Sequence, residues 1–113
     1  MKRALTFEGK TADFACNALM PRLYRYHFGK DVMVELQRFS EAYKKDPGSV
    51  NYEVLENLAW LMLKIGSGDE VAKETPEDWL AELESPSTVY ELAPELMEIW
   101  ASSQKTTATP KKK

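Results

Sequence analysis

The segment from Val54 to Ile65 carries only Glu56 and Lys64 as charges and is apolar at nearly every other position. Read as a helix, it places Leu55, Leu58, Ala59, Met62 and Ile65 in one stripe at the three- and four-residue spacing of helical turns. Val54, Trp60, Leu61 and Leu63 widen that stripe almost round the cylinder. A helix apolar on nearly all sides has to be covered on nearly all sides. The segment is too short to cross a bilayer, which takes about 20 apolar residues. It therefore predicts the central helix of a small soluble bundle whose other helices act as its cover.

The chain is long enough, at 113 residues, for one domain with its own core. A net charge of −3 and a pI near 5.2 argue against a nucleic-acid-binding field. Cys16 is the only cysteine, so no internal disulfide can form, and a reducing compartment fits. The first residues, Met1 to Glu8, lack the continuous apolar core of a signal peptide, and the expected location is the cytosol.

The N-terminal residues follow a different period. Leu5 and Phe7 alternate with Thr6 and Glu8, and Ala12, Phe14 and Cys16 alternate with Thr11, Asp13 and Ala15. Glu8-Gly9-Lys10 lies between the two runs, which predicts a β-hairpin. One of its faces must lie on the helices or on another chain, because a lone hairpin is marginal in water. Its exposed edge could also serve self-association.

Pro21 suits the start of a helix over roughly Leu19–Phe28, closed by Gly29. Leu23, Tyr24 and Phe28 can share a face of it. Asp31 opens the next helix, whose stripe is Val32, Leu36, Phe39 and Tyr43 and whose stop is Asp46-Pro47-Gly48. Ser49 or Asn51 can cap the central helix, and Gly66-Ser67-Gly68 reads as a flexible break after it. Thr75-Pro76-Glu77-Asp78 starts a short helix that buries Trp79, Leu80 and Leu83. Ser85-Pro86-Ser87-Thr88 repeats the start signal before a last helix with Val89, Leu92, Ala93, Leu96, Ile99 and Trp100, in which Pro94 predicts a kink or a break. The expected fold is mainly α (α+β): four to five short helices around the central one, with an N-terminal hairpin. Residues 1–102 form the single domain. Residues 103–113 hold no large apolar side chain and read as a disordered polar tail.

Reaction chemistry finds no constellation here. Cys16 falls in a predicted strand and His27, the one histidine, on a predicted helix, with nothing in the sequence to pair them. His27 reads as a surface or packing residue. The acidic residues scatter over helix faces and first turns, where they complement the helix dipole. No phosphate-binding glycine loop or metal-ligand spacing is present, so the expectation is no enzyme, no cofactor and no metal. A helix-turn-helix at Phe28-Gly29-Lys30-Asp31 would present an acidic and apolar start, Asp31-Val32-Met33-Val34-Glu35, where a recognition helix offers polar and basic groups. Trp60, Trp79 and Trp100 fall on the last three helices and read either as one aromatic cluster or as partner anchors. Tyr24, Phe28, Met33, Trp60, Trp79, Met97 and Trp100 are the candidates for partner contact or core.

The order of local signatures points further. Glu8-Gly9-Lys10-Thr11 is followed by Pro21-Arg22-Leu23-Tyr24, Phe28-Gly29-Lys30-Asp31 and the run Asn57 to Lys64. Trp79-Leu80 and Leu96-Met97-Glu98-Ile99-Trp100 complete the set. In this order the chain resembles, over residues 4–102, the small tail assembly chaperones of long-tailed bacteriophages and prophages of Gram-positive hosts. The resemblance implies a non-enzymatic holdase for the tape measure protein, the ruler around which tail tube subunits polymerise. Such proteins self-associate along it in the host cytoplasm and are not expected in the mature virion. In many members a −1 ribosomal frameshift near the end of the gene gives an extended product that recruits tube subunits. The terminal Lys111-Lys112-Lys113 is compatible with a slippery run of adenines or with a plain solubilising tail. Met20, Met33, Met62 and Met97 could give such a holdase adaptable contacts. No nucleic-acid or membrane partner is expected. The rival readings are a structural tail or connector protein retained in the virion, and a small helical transcription regulator.

Overall fold

The computed structural model describes residues 1–104. Two strands, β1 (Lys2–Phe7) and β2 (Lys10–Ala15), precede six helices: α1 (Met20–Phe28), α2 (Val32–Lys45), α3 (Glu53–Ser67), α4 (Asp69–Ala72), α5 (Pro76–Leu80) and α6 (Thr88–Ser103). A single 3-10 turn, Pro47–Ser49, links α2 to α3. The mainly α architecture with an N-terminal hairpin is therefore the one expected, with the one-turn α4 added just after the break suggested at Gly66-Ser67-Gly68.

α3 is the centre. Val54, Leu55, Leu58, Ala59, Trp60, Leu61, Met62 and Leu63 are all buried, so burial runs round the helix as its composition demands. Strand β2 and all five other helices pack against it. The Trp60 indole N–H donates to the Ala72 carbonyl at 2.7 Å, which ties α4 to the middle of α3. Asn51, not Ser49, serves the start of the helix: its side-chain oxygen accepts from the Glu53 N–H at 2.9 Å.

The hairpin closes through Glu8 and Gly9, both at positive φ (51° and 77°), the two-residue turn that matches strand twist. The strands pair antiparallel, with Leu5 opposite Ala12 and Arg3 opposite Phe14. Leu5, Phe7, Phe14 and Cys16 are buried on the helix side. Phe7 stacks edge-on against Phe14 (5.9 Å) and against Trp79 of α5 (6.2 Å), so the hairpin shares one core with the helices.

Two contacts fix the hairpin. The Glu8 carboxylate accepts from the backbone N–H groups of Glu84 and Ser85, at 3.0 and 3.2 Å, and from the Thr88 hydroxyl. These bonds, the Thr88 one first, hold its carboxyl below the usual range. At the other strand, the Ser67 hydroxyl accepts from the Asp13 N–H (2.9 Å) and donates to the Asp13 carbonyl (2.8 Å). Gly66 and Ser67, read from sequence as part of a flexible break, are thus the last turn of α3 pressed against β2. Gly68, at φ 92°, makes the actual turn into α4.

Local signals hold at most helix ends. Gly29 closes α1 at φ 68°, Asp31 accepts from the Met33 and Val34 N–H groups, and Thr75 accepts from the Asp78 N–H. Ser87 makes no side-chain cap at α6, because Glu8 and Ser85 occupy that loop. α6 runs unbroken through Pro94, which is exposed, as is Tyr90, the residue whose carbonyl Pro94 cannot bond. Ser103 belongs to α6, its hydroxyl donating to the Ile99 carbonyl at 2.8 Å, so the helix reaches past the expected domain end. The tail expected over 103–113 otherwise lies outside the described residues.

Candidate functional site

α2 is the helix that the body covers least. Asp31 starts it and Glu35, Lys44 and Lys45 complement its dipole, so its ends are well made. Its apolar stripe should then be buried along its whole length. Only Val32 and Leu36 are; Phe39 is half-buried, and Tyr43, expected in the stripe, is 47% exposed. The reason is geometric. α1 and α3 are the helices that pack against α2, only the 3-10 turn Pro47–Ser49 follows at its far end, and beyond Leu36 no residue of α2 is buried.

The stripe continues instead as an aromatic row, half-buried at Phe39 and Tyr52 and exposed at Tyr43 and Tyr90. Tyr43 meets Phe39 at 6.0 Å, Phe39 meets Tyr52 at 5.4 Å, and Tyr52 meets Tyr90 of α6 at 4.2 Å. The row joins α2, the residue before α3, and α6. Met33 and Val34 add apolar surface on other sides of α2, and Leu19 and Tyr26 add it at α1, where Tyr26 is 80% exposed.

A cleft of about 230 Å³ opens beside the row, between α2 and the start of α3. Lys30, Glu35, Arg38, Phe39, Val50 and Glu53 line it. Glu35 pairs with Lys30 at 3.9 Å and with Arg38 at 3.8 Å. Tyr24 is fully buried near this region, and its hydroxyl has no hydrogen-bond partner among the described residues. Burial pushes its ionisation up to about 12.

The residues singled out from sequence separate into two groups. Tyr24, Trp60, Trp79 and Trp100 are buried, Phe28 and Met97 are half-buried, and Met33 is 52% exposed. The three tryptophans do not form one cluster. Trp60 meets His27 and Phe28, Trp79 meets Phe7, and no ring pair among the described residues joins two tryptophans. Met20 and Met62 are also fully buried, which removes them from any contact surface. Sequence reasoning missed Leu19, Tyr26, Val34 and Tyr90 as open apolar positions, and it put Tyr43 in the apolar stripe of α2. Tyr90 had a usable signal, since it falls opposite the Val89, Leu92, Leu96 and Ile99 stripe of α6.

His27 is exposed and edge-on to Trp60 at 4.9 Å, and partial burial, then Lys64, lower its pKa. Cys16 is buried at the end of the hairpin, where desolvation raises its thiol pKa. No hydrogen bond joins the two residues. Burial, then Glu53, raises the pKa of Glu56. Among the described residues no group of His, Cys, Asp and Glu is placed to hold a metal ion, and no helix is long and apolar enough to cross a membrane. No family model, curated protein or solved structure matches the chain.

Proposed function

We infer that this chain is a tail assembly chaperone of a long-tailed bacteriophage or prophage, a non-enzymatic protein that coats the tape measure protein during tail assembly. One observation carries the reading. A chain with a complete core still leaves a continuous aromatic row, Tyr43-Phe39-Tyr52-Tyr90, open on one side. Contiguous apolar surface on a small domain marks a place where another protein binds. Aromatic and methionine side chains suit a holdase, because they give many modest contacts that tolerate different apolar sequences. The ordered set of motifs from Glu8-Gly9-Lys10 to Trp100 supports the same reading.

In this reading the protein works in the host cytoplasm, associates with further copies along the tape measure protein, and leaves before the virion is complete. Recruitment of tail tube subunits falls to a product extended beyond Lys113 by a −1 frameshift. Co-expression with overlapping fragments of the cognate tape measure protein tests the reading. At least one fragment stays soluble only in the presence of the chaperone, and the Phe39→Ala/Tyr43→Ser double substitution removes that protection. Unchanged precipitation of every fragment would overturn it. An intact-mass spectrum of the products of the native gene, expressed with its natural downstream sequence, tests the extended form separately.

A further inference from the structure

The two edges of the hairpin are not equivalent. Met1 and Cys16 exchange bonds in both directions, at 2.8 and 2.9 Å. From that pair the antiparallel ladder alternates, so Arg3, Leu5 and Phe7 bond inward to β2. Lys2, Ala4 and Thr6 then turn their N–H and C=O groups outward on β1, as Thr11, Asp13 and Ala15 do on β2. The β2 edge is closed: Ser67 satisfies both groups of Asp13, and Gly66 packs against Asp13 and Ala15. The β1 edge is open. Among the described residues no hydrogen bond reaches the outward groups of Lys2, Ala4 or Thr6, and all three residues are exposed. At its centre stands Ala4, with no bulk or charge to turn a strand away. Lys2, at one end, is the protection such edges usually carry.

The surface beside this edge has a sign. α6 runs antiparallel to β1, since Thr88 bonds to Glu8 at one end and Glu98 pairs with Arg3 near the other. Helical spacing puts Glu91 and Glu95 on the face of Glu98, and all three are exposed. Arg3 is the cation that meets this row. A second copy docked antiparallel on its own β1 would bring two such acidic rows together, and like charges in an interface oppose association. A strand with lysine or arginine at alternate positions would meet the row with opposite charge.

We propose that the open edge of β1 takes up an extended, lysine- or arginine-bearing segment of a partner protein as a third strand. Main-chain bonds to Lys2, Ala4 and Thr6 supply the affinity, and the row of Glu91, Glu95 and Glu98 selects the basic sequence. The proposal goes beyond the chaperone reading and does not depend on it.

The test uses the full chain and a fluorescein-labelled peptide of about seven residues, one strand in length, with lysine and valine alternating. Anisotropy rises saturably, and the amides of Lys2, Ala4 and Thr6 exchange more slowly with solvent when the peptide is bound. A matched peptide with glutamate for lysine does not bind. Ala4→Pro removes an outward N–H that the hairpin itself does not use, as edge strands tolerate. It weakens binding by about tenfold or more, the factor that a loss of about 1.4 kcal/mol gives, and Glu95→Lys does the same. If Ala4→Pro fails to fold, amide exchange in the unsubstituted chain decides. Absent binding, or binding that leaves those amides unprotected, overturns the proposal. So does self-association that Ala4→Pro abolishes, which assigns the edge to a second copy. Binding that appears only after removal of residues 105–113 overturns it too, by assigning the edge to this chain's own C-terminal segment.

Discussion

Ser67 and Asp13, separated by 54 positions in sequence, exchange two hydrogen bonds, so the last turn of α3 completes the outer edge of β2 as a neighbouring strand would. Gly66 makes the approach possible. A Cβ there would lie 2.5 Å from the Asp13 carbonyl oxygen and 2.8 Å from its carbon. Two effects oppose each other in Gly66→Ala. Helix propensity alone favours alanine by about 1 kcal/mol. The clash is with backbone, which cannot swing aside, and overpacking of this kind costs about 1–3 kcal/mol. Steric cost wins, and urea titration of the Gly66→Ala protein shows a lower midpoint. A raised midpoint would mean that β2 and α3 do not meet this closely.

Trp60 carries two contributions at once. It is fully buried and edge-on to His27 and Phe28, and its N–H holds the Ala72 carbonyl. Trp60→Ala destabilises by about 3–5 kcal/mol, the range for deleting a large aromatic side chain from a core. Trp60→Phe keeps part of the packing and leaves the Ala72 carbonyl without its donor, at a cost of about 1–3 kcal/mol. Chemical denaturation measures both, and hydrogen exchange shows whether α4 opens first in the phenylalanine protein. A change within about 0.5 kcal/mol for Trp60→Ala would place the side chain at the surface instead.

What could be read from the sequence was what neighbouring residues decide. The Glu8-Gly9 turn, the Gly29 stop, and the caps at Asp31 and Thr75 depend on a few adjacent positions, and each is found where expected. So is the burial round α3, which its composition alone requires. The differences arise where distant segments meet. Gly66 and Ser67 look like a break until β2 lies against them. Glu8 looks like an ordinary turn residue until Glu84, Ser85 and Thr88 come to its carboxylate. The stripe of α2 is regular from Val32 to Tyr43, and nothing within it says that its cover ends after Leu36. The candidate surface was therefore the least legible part, since an apolar stripe looks the same whether it is buried or left open.

Glu8 gives the fold an acid sensitivity with a definite sign. Its carboxyl pKa lies below the ordinary value because the Thr88 hydroxyl and the Glu84 N–H bond to the charged form. A group depressed in the folded state stabilises fully above its unfolded pKa, here 4.5, and loses that contribution as pH falls through the folded value. Melting followed from pH 7 to pH 3 shows a descending acid limb in which Glu8 takes part. Glu8→Gln lowers the melting temperature at pH 7 and makes that limb shallower. An acid limb unchanged in the Glu8→Gln protein would assign the sensitivity to other carboxyl groups.

Leu36 and Tyr43 occupy the same stripe of α2 and differ in what covers them. Leu36 is buried at 6% exposure, whereas Tyr43 stands 47% exposed at the end of the aromatic row. A stripe judged by spacing alone would make the two residues equally important to stability. The structure separates them: Leu36→Ala costs about 2–5 kcal/mol as a core deletion, and Tyr43→Ser stays within about 0.5 kcal/mol as a surface change. Urea titrations of the two proteins measure this gradient directly. A large loss for Tyr43→Ser in the isolated chain would show that its ring is covered there, and would close the surface on which the chaperone reading rests. Near-neutral stability joined to lost protection of a tape measure fragment would separate folding from partner binding at a single residue.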